Sequence, residues 1–364
     1  MFIIITKENA NPDRRMHSAM TNQPAVSIII PTWNSSAHIQ HCLAHLSAQT
    51  FKQFEIILVD NGSPDFQAGS LSKQWLALRI REIALEQNRG FAAASNLGAQ
   101  AARGEWLAFL NADAYPEPGW LEEFMRGLQN FPHAGAFGSL ILQHDHPNLV
   151  DSAGDIYGSN GLAWKGYANY PVDVVPAEAV RIFSPCAAAA FYRRDIFFEI
   201  GGFDEDFFSY LEDVDLGFRL NLYSYVCLVL PEARVRHVGS ASTSKNSDFA
   251  LYHHQRNLTW VYVKNMPGFL FWLYLPLHLI TKPIVLLKSI RDGRGKIIFK
   301  ATIDALKCSG KILDKRKKIQ KERRASLQEI NRLLNRDLLA PYTIGRRLRR
   351  YHRQQESQVQ HFHK

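Results

Sequence analysis

From Val26 the chain alternates between short apolar runs and segments with apolar residues at helical spacing. "VSIIIPTWN" (Val26 to Asn34) is β-branched and closed by proline, the pattern of a strand buried on both faces. "SSAHIQHCLAHLSAQ" follows at helical spacing, with Ser35 or Ser36 suited to cap it. "FEIILVDNGS" (Phe54 to Ser63) is a second buried strand running into an Asn-Gly turn. The pattern then predicts a helix over Leu71–Leu78, a strand near Arg81–Leu85 and an alanine-rich helix in "GFAAASNLGAQAA". A strand in "EWLAFLNADA" (Glu105 to Ala114) and a helix in "PGWLEEFMRGLQ" follow. Strands and helices alternating at this pitch imply parallel βαβ units around a central sheet. In such sheets ligands bind beyond the carboxyl ends of the strands. Thr32 and Asn34, Asp60 to Ser63, and Asn111 with Asp113 all fall there, so three strand ends define one polar rim.

After Phe131 the rhythm breaks. "AGAFGSLIL", the Gly/Asn-rich "DSAGDIYGSNGLAWKGYANYP" and "VRIFSPCAAAAFYRR" read as mixed strands and loops, suited to holding a second substrate. "YVCLVL" and "ARVRHVG" read as strands, and "DFALYHHQRNLTWVYVKN" as an amphipathic helix. "PGFLFWLYLPLHLITKPIVLLKSI" (Pro267 to Ile290) is apolar but interrupted by Pro276, His278, Lys282 and Pro283. An interfacial or re-entrant membrane helix suits it better than a clean span, with a buried core or dimer helix as the alternative.

Charge sharpens that picture. From Lys288 onward there are 22 Lys and Arg against 7 Asp and Glu, while the whole chain sums to only +9, so the front of the molecule is net acidic. Basic clusters just after an apolar segment suit an anionic membrane surface. Residues 1–24 read as a disordered leader, because the opening apolar run lacks a small-residue cleavage site. The 4 cysteines are far apart and show no metal-ligand spacing, so they read as ordinary thiols.

Several positions carry candidate chemistry, each with a plainer reading beside it. Asp60 ends a buried strand and can accept from a nucleobase or ribose, or satisfy its own turn. Asp113 beside Asn111 can hold a hard divalent cation, or merely turn the chain. "NRGFAAASNLGA" (Asn88 to Ala99) opens a helix where backbone can approach an anion, but it is neither a P-loop nor a dinucleotide fingerprint. His237 in "VRHVGSAS" could complete a metal shell or be structural. "FFSYLEDVDLGFRL" packs Glu212, Asp213 and Asp215 into four residues, after "GGFDEDFF" with three more carboxylates. Helix capping needs one or two acids. The surplus of like charge points to chemistry.

Together these motifs resemble the inverting family 2 glycosyltransferases, especially the bacterial branch with rhamnosyltransferases of surface-polysaccharide assembly. "VSIIIPTWN", "EIILVDNGS", "NRGFAAASNLG", "WLAFLNADA", "GGFDEDFFSYLEDVDLGFRL" and "VRHVGSAS" occur in that family's order over roughly Val26 to Lys264. The resemblance implies an α/β GT-A fold with a mostly parallel central sheet flanked by helices. It implies a catalytic domain over 25–265, with a nucleotide-sugar half at 25–130 and an acceptor half at 131–265. Residues 266–364 would form membrane-associated helices and a basic tail. Thr32, Asn34, Asp60, Asn88, Asn96 and Asn111 would line the nucleotide-sugar site. Asp113, on the second acid of the family's DxD, would bind Mg2+ or Mn2+ with help from His237; here Asn111 replaces the first acid. Asp213 would be the general base and Glu212 an acceptor contact, while Asp215 would cap the helix or pair with Arg219 at i+4. Partners would be a nucleotide-sugar donor such as dTDP-rhamnose or a UDP-sugar, a lipid-linked or polysaccharide acceptor, and the anionic cytoplasmic face of the inner membrane, bound peripherally. A homo-oligomer stays open.

Other readings are weaker. A sugar nucleotidyltransferase would want a Gly-rich basic loop after the first strand, which "PTWNSSAHI" lacks. A nucleic-acid-binding protein would use the basic tail, yet no zinc, RRM or helix-turn-helix pattern is present, so no nucleic-acid partner is expected. An inactive membrane scaffold has no reason to carry both Asp113 and Asp213.

Overall fold

The computed structural model describes residues 3–4, 23–239, 247–338 and 340. The expected basic cluster "GRRLRRYHR" and most of the leader lie outside them. From the leader, β1 (Ile3–Ile4) is described and pairs with a strand at the far edge of the sheet.

The first half follows the predicted alternation. β2 (Val26–Thr32), α1 (Ser36–Ser47), β3 (Phe54–Asp60), α2 (Ser70–Gln74), β4 (Ile80–Ala84), α3 (Gly90–Ala101) and β5 (Trp106–Leu110) build a parallel sheet in the order β4-β3-β2-β5. Every residue of β3 and β5 is buried, as continuous apolar runs demand. The strand expected through Ala114 stops at Leu110. There the Asn111 N–H donates to Ala188 O and the chain turns, so that β6 (Ala114–Pro116) leaves to pair elsewhere. Asn111 and Asp113 therefore stand on a turn at the rim of the sheet.

After α4 (Trp120–Asn130) the sheet becomes mixed. β7 (Ala134–Gln143) is lengthened at its edge by β8 (Val150–Ser152). β9 (Asp155–Tyr157) and β10 (Ala163–Lys165) form a separate hairpin from the Gly/Asn-rich stretch. β11 (Val180–Arg181) receives β1, and β12 (Ala189–Arg193) inserts antiparallel between β5 and β7. After α5 (Arg194–Glu199) and α6 (Glu212–Leu222) comes β13 (Val226–His237), parallel to β7. The sequence pattern suggests two strands here. One strand forms instead, with a shift in register between Leu230 and Arg234 that re-aims its last residues, His237 among them. Apolar side chains fill both faces of the sheet.

The C-terminal helices are α7 (Asp248–Asn265), α8 (Gly268–Arg291), α9 (Gly295–Lys307), α10 (Ser309–Glu322) and α11 (Leu327–Leu333). The expected boundary at 265 falls inside packed structure. Trp260 Nε1 on α7 donates to Ala305 O on α9, and Arg316 on α10 donates to Val263 O and Met266 O. α8 runs unbroken for 24 residues despite Pro276 and Pro283, and by length and composition it could cross a membrane. One face leans on α7, while Phe269, Trp272, Leu273, Leu279, Ile280, Ile284, Leu287 and Ile290 form an exposed apolar stripe, with Trp272 68% exposed.

Asp215 is 0% exposed and is the structural member of the acidic trio. It accepts from Arg219 one turn on, as the i+4 spacing predicts, and also from Lys264 and Asn265 of α7. Removing one partner from a buried ion pair costs about 3–5 kcal/mol, because an uncompensated charge stays behind. Asp215→Asn should lower unfolding stability by that order in urea titrations. A loss within experimental error would mean that Arg219 and Lys264 find other partners.

Candidate active site

An 840 Å3 cleft opens at the carboxyl ends of the first-half strands, and most of the residues singled out from the sequence meet there. Thr32, Asn88, Asn111, Asp113, Glu212, Asp213 and His237 all line it. Asp60 and Thr32 line a 200 Å3 side cavity that shares Thr32 and Ser35 with the cleft. The Asp60 carboxylate does the work of the plainer reading with one oxygen: Oδ2 accepts from the N–H groups of Gly62 and Ser63. Asn88 Oδ1 accepts from Asn61 Nδ2 and from the Gly90 N–H, shaping the mouth of α3.

Two candidates stand aside. Asn34 adopts φ of 50° and its N–H donates to Ser63 Oγ, while its neighbours Trp33 and Ser35 line the cleft. Asn96 spends its amide on a clamp, donating to Phe203 O and accepting from the Phe203 N–H. It holds α3 to the loop before α6, outside the cleft lining.

On one side of the cleft, β13 brings His237 to the Asn111–Asp113 turn. His237 Nε2 lies 3.4 Å from Asp113 Oδ1 and 3.4 Å from Asn111 Nδ2, and Nδ1 lies 2.9 Å from Asp151 Oδ2. A carboxylate on one imidazole nitrogen leaves the other aimed at a cation, as in many metal sites. The donor set of one carboxylate, one imidazole and one amide fits a divalent ion whose remaining ligands are phosphate oxygens and water. Without the ion, a proton meets the same field. Burial opposes charge on His237, but its bonds to Asp113 and Asp151 outweigh that and raise its pKa.

On the opposite side, Asp213 is held by backbone: Oδ2 accepts from the Ala187 N–H at 2.9 Å and Oδ1 from the Val214 N–H at 2.8 Å. Burial raises its pKa. Asp155 and Cys186 offer donor atoms within 4.8 Å of one another and of Asp213. Burial and then the Asp213 charge push Asp155 well above the carboxylate range, and burial pushes up the Cys186 thiol. Lys165, bonded to Asp151 at 2.7 Å, supplies positive charge beside this cluster, but burial and the Asp213 charge outweigh it at Asp155. Glu212 Oε2 and Asp155 Oδ2 are buried without a protein partner, and both residues line the cleft. The sequence reading missed Asp151, Asp155, Trp164 and Lys165. Their signal was the placement of acids and an aromatic inside the glycine-rich stretch, which periodicity does not weigh.

The loop that delivers Glu212 and Asp213 is strained. Phe208, Tyr210 and Leu211 have φ of 64°, 71° and 65°. Such residues cost about 1–3 kcal/mol each and persist only where neighbours impose them. Asn257 Nδ2 donates to Phe207 O, Ser209 O and Tyr210 O, and an Arg256 guanidinium nitrogen donates to Asp206 O and Phe207 O. These five contacts share the four hydrogens of two NH2 groups, and four bonds at about 1 kcal/mol or more each are of the size needed to offset the strain.

Comparisons with known proteins bear on the family and the fold. Residues 27–201 match the family described as Glycosyl transferase family 2, and that segment belongs to it. "O-antigen biosynthesis protein RfbC" of Myxococcus xanthus is 31% identical over 63% of this chain, which spans only 18% of that protein. An "N-acetylglucosaminyl-diphospho-decaprenol L-rhamnosyltransferase" of Mycobacterium tuberculosis is 27% identical over 62% of this chain and 80% of its own length. Among solved structures, GalNAc-T7 with UDP, GalNAc and Mn2+ superposes with a TM-score of 0.53 at 17% identity, over 66% of this chain and 48% of its own. The mannosyltransferase PcManGT of Pyrobaculum calidifontis, with GDP-Man and Mn2+, gives 0.51 at 15% identity, over 82% and 86%. The fold is therefore of the GT-A type.

The Asp151–His237 pair has a defined pH signature. Burial would raise Asp151, but the His237 bond and the Lys165 charge win and hold it well below the carboxylate range. Its contribution is in place above about pH 4 and is lost as pH falls through the lowered value. His237 is raised, so its contribution is complete below about pH 6.5 and is lost as pH rises through the raised value. Thermal melts of the metal-free protein should therefore show extra stability between these limits, and Asp151→Asn should flatten it. An unchanged profile in the variant would rule the pair out as the source.

Proposed function

We propose that this chain is an inverting glycosyltransferase. It moves a sugar from a nucleotide-diphosphate donor to a hydroxyl of a lipid-linked saccharide in cell-surface polysaccharide synthesis. The observation that carries this reading is that one cleft holds a cation-competent group, Asp113 with His237, together with a half-buried, backbone-held carboxylate, Asp213. Inversion is a single in-line displacement and needs one such group at each end.

The donor base and ribose occupy the side cavity by Asp60 and Thr32, and the diphosphate reaches the Asn111–Asp113 turn. A bound Mg2+ or Mn2+ supplies stabilisation of the charge that grows on the leaving nucleoside diphosphate. Asp113 and His237 would hold it, and Asp151 keeps His237 in register. At the other end Asp213 takes the proton from the acceptor hydroxyl as that oxygen attacks the anomeric carbon. A raised pKa suits a carboxylate to that step. Glu212 and Asp155 meet neighbouring hydroxyls with their unpartnered oxygens, and Trp164 offers a ring face to the acceptor sugar. The rhamnosyltransferase name of the mycobacterial relative favours dTDP-rhamnose as donor, and a UDP-sugar is the alternative.

The apolar stripe of α8 and the basic residues that follow it lie on the cytoplasmic face of the inner membrane, peripherally, where lipid-linked acceptors are found.

Three outcomes test this. Nucleotide-induced thermal stabilisation should appear with dTDP or UDP and depend on Mg2+ or Mn2+; no shift with any nucleotide in folded protein would remove the donor site. Asp213→Asn should lower transfer by about a hundred-fold or more while leaving nucleotide binding near normal, and an equal loss of binding would remove its assignment as base. The double variant Trp272→Glu/Ile284→Glu should stay folded and lose sedimentation with anionic vesicles. Undiminished sedimentation would put the membrane contact elsewhere.

A further inference from the structure

Lys282 is an anomaly on the apolar helix. It sits on the side of α8 that meets α7, where its ammonium donates to Thr259 Oγ1 at 2.8 Å. Among the described residues no carboxylate pairs with it, and burial alone pushes its pKa down to about 8. A half-buried cation without a counter-ion favours binding an anion. Its titratable neighbours do not neutralise it. Burial and then the Lys282 charge hold His254 down at about 4 and His278 at about 3, so both imidazoles are neutral and able to donate.

The position is as informative as the charge. His254 lines the catalytic cleft, so the Lys282 environment begins where the cleft ends. Arg294 Nε reaches Asp248 at 3.0 Å, which brings the end of α8 to the start of α7, beside the cleft residue Phe249. The turn of the β9–β10 hairpin is joined to α8 by His278 Nδ1 and Asn160 O at 3.1 Å, and the same hairpin presents Trp164 to the cleft. Lys282 thus stands beside His254 at the edge of the cleft, and Leu279, one turn back on α8, belongs to the exposed apolar stripe. From the cleft to α8 the side chains change from hydroxyl-binding to cationic to apolar.

We propose that Lys282, with His254, binds the diphosphate of the lipid-linked acceptor, its sugar reaching Asp213 and its hydrocarbon chain lying along α8. This rests on the acceptor class argued above and adds the residues that would read it. A lysine suits the task as a compact point charge able to serve either phosphate. The order sugar, diphosphate, lipid would select a saccharide on a lipid diphosphate over a free oligosaccharide.

The test uses the full chain and soluble probes. Farnesyl diphosphate and farnesol are titrated separately in EDTA, which silences any diphosphate binding that needs a divalent ion. The wild type should bind the diphosphate about ten-fold more tightly, the scale of one charge-assisted hydrogen bond. Lys282→Met should bring the two affinities together, with a melting temperature no lower than that of the wild type. Lys282→Gln is read the same way should the methionine variant not fold. Equal affinities in the wild type, or a preference that survives in the variant, overturn the proposal. A parallel sedimentation of the wild type with phosphatidylglycerol vesicles separates the two readings. Failure there counts against the membrane contact, while the titration still judges the lysine.

Discussion

One buried carboxylate organises the packing around the acidic loop of this molecule. Asp215 has no access to water, and its charge is met by Arg219 on its own helix and by Lys264 from α7. Lys264 also bonds Asp204, and Arg219 also donates to Ile200 O and Gly202 O. α6, α7 and the loop between α5 and α6 therefore meet at a point where no member can leave without exposing an unpaired charge. Because Asp215 is fixed, the residues before it are fixed as well, and Glu212 and Asp213 open toward the cleft. The strained φ angles of Phe208, Tyr210 and Leu211 become tolerable for the same reason: Arg256 and Asn257, which hold that loop, sit on the helix that Asp215 anchors.

The acids of this region divide the labour by environment. Asp215 is neutralised by cations and structural. Asp213 is held by N–H groups and kept basic by burial. Glu212 and Asp155 retain buried oxygens without partners. One short motif thus supplies a girder, a backbone-held carboxylate and an acid open to the cleft, and only the surroundings tell them apart. A spacing rule cannot make that assignment, although the i+4 relation of Asp215 and Arg219 was a correct local clue.

The parallel first half was legible because each buried strand writes a continuous apolar run ended by turn residues. The rim of Thr32, Asn111 and Asp113 followed from the general behaviour of parallel sheets. What escaped the sequence was long-range. Asp151 meets His237 across 86 positions, and no periodicity links them. Asn96 looked like a donor contact but is consumed by Phe203, a partner 107 positions away. The left-handed backbone at Tyr210 and Leu211 contradicts local preference and exists only through tertiary hydrogen bonds. The β13 register shift, which aims His237, is likewise a property of the assembled sheet.

The grip of α10 on the loop before α6 has a bearing on evolution and engineering. Lys311 bonds Asp206, and Lys315 bonds Asp204 and Asp206. The same loop leads into Phe208 and the catalytic acids. The C-terminal helices are thus a brace rather than an exchangeable anchor. A chimera joined near 265 would bring foreign C-terminal helices but leave Asp206 without its lysines and Asp204 with Lys264 alone. Exchange of these helices between relatives is then expected to move the brace and the acidic loop together, as a single inherited block.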